Sequence, residues 1–186
     1  EKEGKMRKND RKNNELRPIK FTKDFTKNAL GSVLVEFGDT KVITTASVDF
    51  SKPKWMDKDA VQGWVTAEYS LLPSSTSTRC KRERTSVSGR TQEIQRLIGR
   101  SLRACVDMSK MPIAAISVGI VDEEVRLDLN YEEDSSAQAD ANVVLTKSGK
   151  IIEFQTTAEG ESFSQEQMLE IFNTAKNGID KIISKF

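Results

Sequence analysis

Apolar residues along this chain follow two periods, and the switches between them mark its elements. Residues 32–37 and 41–48 are rich in Val, Ile and Thr and flank Gly38-Asp39, the pattern of two strands joined by a tight turn. Residues 63–69 have the composition of a third strand. Between them, 49–62 contain Pro53, scattered charges and the apolar pair Trp55-Met56, keep to neither period and read as a loop. From Ser88 the period becomes helical, with Ile94, Leu97, Ile98, Leu102 and Cys105 recurring on one face. Residues 113–121 and 125–129 then read as strands about the acidic turn Asp122-Glu123-Glu124, and 142–146 and 151–156 as a hairpin closed at 147–150 by a Ser-Gly turn. The last element is a helix opened by Ser164, with Gln167 at capping-box spacing. Its buried stripe is Met168, Ile171, Phe172, Ala175, Ile179, Ile182 and Ile183. Hairpins interrupted by two long helices predict an α+β class, largely antiparallel sheets with helices packed on them.

Composition narrows the chemistry. At 186 residues the chain is long enough for a core without staples, and a single domain over 1–186 is expected, with a polar, basic tail over about 1–14. No histidine occurs, which removes histidine-dependent triads and zinc sites of the usual kind. Cys80 and Cys105 are the only cysteines, and Cys105 continues the apolar face of its helix as a small core residue. No run has the apolar length of a signal sequence or a membrane span, so a cytoplasmic protein without a membrane partner is expected. The net charge of +1 is unevenly spread: residues 79–103 hold eight Lys or Arg against two Glu, whereas 122–134 hold seven acids against Arg126.

Each charged block suggests chemistry. Arg90 stands where the central helix begins, and unpaired N–H groups at a helix start beside a fixed cation make a seat for phosphate. Arg96, Arg100 and Arg103 fall on the face opposite the apolar one, either as a solvated face or as a basic stripe. In the acidic block, Asp128 lies among apolar neighbours in an expected strand and needs a partner. Asp134 and Asp140 follow at six-residue intervals, so a strand that leaves and returns could gather the carboxylates. Gathered carboxylates beside a phosphoryl group hold a cation such as Mg2+ or protonate a leaving oxygen. Glu132 and Glu133 read as a solvated acidic loop.

Longer motifs carry a resemblance. Asn14-Glu15-Leu16-Arg17-Pro18, Gly31-Ser32-Val33-Leu34-Val35, Gly38-Asp39-Thr40-Lys41-Val42, Gly63-Trp64-Val65-Thr66-Ala67-Glu68-Tyr69, the whole run 88–103, the segment 127–134 and Thr157-Ala158-Glu159-Gly160 are similar to those of ribonuclease PH, a phosphate-dependent exoribonuclease acting at RNA 3′ ends. The resemblance covers nearly all of residues 9–186. It implies a fold of the ribosomal protein S5 domain 2 type, a hexameric ring of dimers, inorganic phosphate as co-substrate, tRNA 3′ ends and other RNA as substrates, and Mg2+. It also implies Arg90 as the phosphate ligand, Asp128 and Asp134 as the catalytic and metal-binding aspartates, and Arg79 and Arg82, joined here by Arg96 and Arg100, as RNA contacts. Ser74 departs from the pattern, which has arginine after the proline equivalent to Pro73. A larger departure lies between about 110 and 113, where the family has a strand, a Gly-Gly-Thr-Arg phosphate loop and a helix. Here Met111-Pro112 runs straight into Ile113, through a deletion or through residues missing from the sequence as written. A deletion would favour a rival reading, a catalytically inactive RNA-binding ring subunit.

Overall fold

The computed structural model describes residues 7, 10–83, 86–107 and 111–185. Most of the expected tail, and Lys110 at the expected gap, lie outside these residues. The chain divides into two compact units, one formed by 1–51 with 112–186 and the other by 52–111.

The first unit holds two antiparallel sheets. Strands β1 (Ile19–Lys23), β2 (Gly31–Phe37) and β3 (Thr40–Ala46) form one in the order β1-β2-β3. The expected Gly38-Asp39 turn joins β2 to β3, and Gly38 takes the left-handed φ of +56°. β1 is not signalled by composition; it forms because Ile19 to Lys23 pair along β2, from Phe37 to Val33. The second sheet has the order β5-β4-β6-β7, built from β4 (Ile113–Val121), β5 (Glu124–Leu127), β6 (Ala139–Thr146) and β7 (Ile151–Ala158). A two-residue turn at Asp122-Glu123, both with positive φ, connects β4 to β5.

Period two decides which side of this sheet is buried. Ile116, Val118 and Ile120 of β4 and Ala139, Ala141, Val143 and Leu145 of β6 alternate into one core. They meet Ile171, Ala175, Ile179 and Ile182 of helix α3 (Gln165–Ile183), the helical repeat predicted from the sequence. Ser164 caps α3 as expected: its hydroxyl accepts from the Gln167 N–H while Gln167 Oε1 accepts from the Ser164 N–H. Met168, assigned to the buried stripe, is instead exposed one turn before the core begins. Gly178 lets α3 approach the sheet, since a Cβ there would lie 2.6 Å from Leu127 Cδ1.

The second unit contains one regular element among its described residues, helix α1 (Gly89–Asp107). Residues 63–69 are not a strand. Among the described residues no edge pairs with them, and they run along α1, where Arg103 donates to the Val65 carbonyl and Gln95 to that of Tyr69. Arg103 also covers the Trp64 ring at 4.5 Å, so it leaves the solvated stripe to which its spacing assigned it. No helix among the described residues is long and apolar enough to cross a membrane.

Candidate active site

The acidic stretch becomes a site because the chain turns sharply after β5. Asp128 adopts φ +55°, ending the strand, and Asn130 caps the one-turn helix α2 (Tyr131–Asp134). The Asn130 side chain accepts from the Glu133 N–H, and Glu133 Oε2 accepts from the Asn130 N–H, a reciprocal box in place of the solvated loop expected at Glu132 and Glu133. From Asp134 the chain re-enters the sheet as β6, with Asp140 opposite Gly119 of β4 and Thr157 of β7. A Cβ at Gly119 would lie 2.7 Å from the Ala139 carbonyl oxygen, so the position facing Asp140 on β4 has no room for a side chain.

Of the three carboxylates spaced six residues apart, the return of the chain brings Asp140 and Asp134 into one neighbourhood. Asp140 is partly buried, and its carboxyl is pushed above the ordinary aspartate value by that burial first and then by the charges of Asp134 and Glu159. Asp134 itself is exposed at the end of α2. Glu159, in the Thr-Ala-Glu-Gly motif at the end of β7, is tied to the same corner by its N–H, which donates to the Gln138 carbonyl at 2.9 Å. Asp134, Asp140 and Glu159 therefore form one electrostatic neighbourhood. Asp140 is its most enclosed member.

Asp128 is used otherwise. Its side chain is buried, and both carboxylate oxygens are occupied by Arg17, through Nε at 3.0 Å, Nη2 at 2.6 Å and the backbone N–H at 2.9 Å. Arg11 Nη1 adds a fourth bond at 3.2 Å. A carboxylate so enclosed is a structural anchor, with no free face for a metal or a leaving oxygen. The partner that its burial demanded is a pair of arginines more than a hundred residues earlier in the chain, which no local pattern signals.

In the second unit, Ser88 opens α1 and its hydroxyl accepts from the Thr91 N–H at 3.3 Å. Arg90 is the second residue of that helix and exposed, and its guanidinium has no ion pair among the described residues. Arg79, Arg82 and Arg96 are likewise exposed and unpaired among the described residues, and Arg100 is exposed. The basic block thus offers free cations on an irregular segment and on the first turns of a helix.

Two family models match the chain: that of the 3′ exoribonuclease family, domain 1, over residues 15–122, and that of domain 2 over 111–178. The two matches overlap on β4, directly after the point where the resemblance lacks a segment. Among solved structures, rice (Oryza sativa) Rrp46 is similar with a TM-score of 0.67 at 19% identity, covering 97% of each chain. A chain of the Archaeoglobus fulgidus exosome with RNA bound to the active site has a TM-score of 0.75 at 16% identity, covering 97% of this chain and 92% of that one. An archaeal exosome core chain gives 0.72 at 15% identity, over 95% and 89%. At such identities these likenesses concern the fold, the one that exosome core subunits share. The two family matches, which together run from residue 15 to residue 178, decide the membership: this chain belongs to the 3′ exoribonuclease family, the family of ribonuclease PH.

Proposed function

We propose that the protein is a phosphorolytic 3′ to 5′ exoribonuclease. Inorganic phosphate attacks the terminal phosphodiester of an RNA, a tRNA precursor among others, and a nucleoside diphosphate leaves. The observation that carries this reading is the Asp134-Asp140 neighbourhood with its raised carboxyl. A carboxyl held above its ordinary value by burial and like charge keeps its proton closer to neutral pH, which suits protonation of the departing 3′ oxygen. Asp140 is that acid, raised by its burial and then by the charges of Asp134 and Glu159, and Asp128 holds the turn before them.

Arg90 takes the attacking phosphate. A permanent, planar cation at a helix start can bind two phosphate oxygens at once and offset repulsion between the incoming and scissile groups. Arg79, Arg82, Arg96 and Arg100 meet the RNA backbone, giving affinity that falls with salt and carries little sequence preference. Mg2+ suits oxygen donors and is commonly held by one or two carboxylates together with substrate phosphates. Asp134, exposed beside the acid, provides such a donor, and among the described residues no cluster of three or more acidic, Cys or His groups could hold a cation alone. Bound there, Mg2+ would neutralise charge on phosphoryl oxygens. The reading extends to a homohexameric ring, a trimer of dimers, working in the cytoplasm.

One observation favours the rival, an inactive RNA-binding ring subunit: α1 ends at Asp107 and β4 begins at Ile113, leaving no length for a second arginine loop. Incubation with a 3′-extended tRNA, with and without inorganic phosphate, separates the two. Nucleoside diphosphate that appears only with phosphate supports the enzyme. RNA binding without any release of nucleotide supports the scaffold and overturns the proposal.

A further inference from the structure

The turn that leads into Asp134 is fastened to a segment that has no part in the chemistry assigned above. Residues 10–18 carry no regular secondary structure, yet both Arg7 and Arg11 are buried, at 2% and 8% exposure. Arg7 reaches three consecutive features of the acidic turn. Its Nε and Nη2 grip the two carboxylate oxygens of Glu133 at 2.6 and 2.5 Å, its Nη1 donates to the Leu127 carbonyl at 2.9 Å, and its Nη2 also donates to that of Asp128 at 3.2 Å. Arg11 joins the Asp128 carbonyl at 3.0 Å and its carboxylate at 3.2 Å. The backbone closes the arrangement, with the Leu127 N–H donating to the Asn13 carbonyl at 2.7 Å.

Every one of these bonds ends on residues 127, 128 or 133. They fasten the end of β5 and the single turn of α2, and the residue after Glu133 is Asp134. A four-residue helix has too few internal hydrogen bonds to hold its own orientation. The buried pair supplies what the helix lacks. An ion pair in such a position is not needed for stability as such, because an apolar pair of similar volume would often serve as well or better. What charge and fork geometry add is direction: a planar guanidinium can satisfy two carboxylate oxygens and two carbonyls in one orientation only.

We propose that Arg7 and Glu133 are positioning residues for Asp134: their buried pair, backed by Arg11, straps α2 to the N-terminal segment and fixes where Asp134 stands relative to Asp140. The inference rests on the phosphorolytic reading for its effect on turnover. The strap itself can be read without it. The N-terminal segment, met in the sequence as a polar tail, is then a working part of the acid corner.

Three variants of the full chain test this. Glu133→Gln keeps a residue compatible with the capping box but removes the charge pair. Arg7→Lys keeps the charge but loses the fork, and Arg7→Met loses both. Each is followed by kcat and by KM for RNA and for phosphate, and by amide hydrogen exchange at Asp134 and Ser135, whose N–H groups bond to the Asn130 and Tyr131 carbonyls. The strap predicts a fall in kcat of about tenfold or more, since misplacing a catalytic group by about 1 Å can cost on the order of a hundredfold. KM changes less than about twofold, and exchange at Asp134 and Ser135 quickens while Val143 and Leu145 in β6 keep their protection. Arg7→Lys recovers part of what Arg7→Met loses. Faster exchange at α2 in a protein whose wild type shows no turnover upholds the strap and overturns the enzyme reading alone. Unchanged exchange at α2 in Glu133→Gln and Arg7→Lys overturns the proposal, and so does a loss of protection spread equally over β6.

Discussion

The two units of this protein handle charge in opposite ways. In the first, Arg7, Arg11, Arg17 and Arg126 are pulled into or against the fold and meet Asp128, Glu133 and Asp122 at close range. In the second, Arg79, Arg82, Arg90 and Arg96 stand in solvent with no ion pair among the described residues. A buried charge without a partner is costly, so the first arrangement must be closed and rigid. An exposed cation costs little to leave unpaired and stays available to an anion. The acids of the first unit that meet these arginines thus have fixed positions, and the cations of the second unit stay free to move. Their contributions should separate cleanly under mutation.

Asp128→Ala strains the contrast most. It leaves Arg11 and Arg17 without their carboxylate and should lower the stability of the first unit by about 3–5 kcal/mol, whereas Arg90→Ala should change stability by less than about 0.5 kcal/mol. Urea unfolding of both variants checks this, and equal losses would erase the distinction. Gly178→Ala comes next, because the added methyl meets Leu127 inside the core; about 1–3 kcal/mol should be lost, visible as a lowered Tm. Ser164→Ala should cost about 1 kcal/mol through the lost cap of α3.

The smallest effects are in pH dependence, and they have opposite signs. Asp140 binds its proton more tightly folded than unfolded, so its charge is a penalty above its folded pKa that is relieved as pH falls through that value. Asp140→Asn should therefore gain stability at neutral pH, the gain vanishing in acid, even as turnover stops. Burial alone would raise Glu133, but the hydrogen bonds from Arg7 and the Asn130 N–H and the charges of Arg7 and Arg11 outweigh it and hold the carboxyl below the ordinary range. Its contribution is full above the ordinary glutamate value and is lost as pH falls through the folded one. Tm against pH for Asp140→Asn and Glu133→Gln should diverge from the wild type in opposite directions at neutral pH.

What the sequence makes legible follows from the range of each interaction. The β4 strand, the α3 cap and the Gly38 turn depend on residues a few positions apart, and period, capping spacing and turn chemistry identify them correctly. β1 and α2 are too short to show a period, and 63–69 have strand composition without an edge to pair with. The candidate site divides along the same line. That Asp128 needs a partner is readable from its apolar neighbours; that the partner is Arg17 is not, because the contact spans the chain. With Asp128 so engaged, the enclosed carboxyl next to Asp134 is Asp140, which only the return of the chain into β6 could show.

The most direct test of the central claim is a phosphate titration of nucleoside diphosphate release from a 3′-extended tRNA, for the wild type and for Arg90→Ala. The wild type should show saturable, phosphate-dependent release, and the variant a loss of about a hundredfold or more in kcat/KM for phosphate with RNA affinity changed little. Equal phosphate dependence in both proteins would contradict the claim.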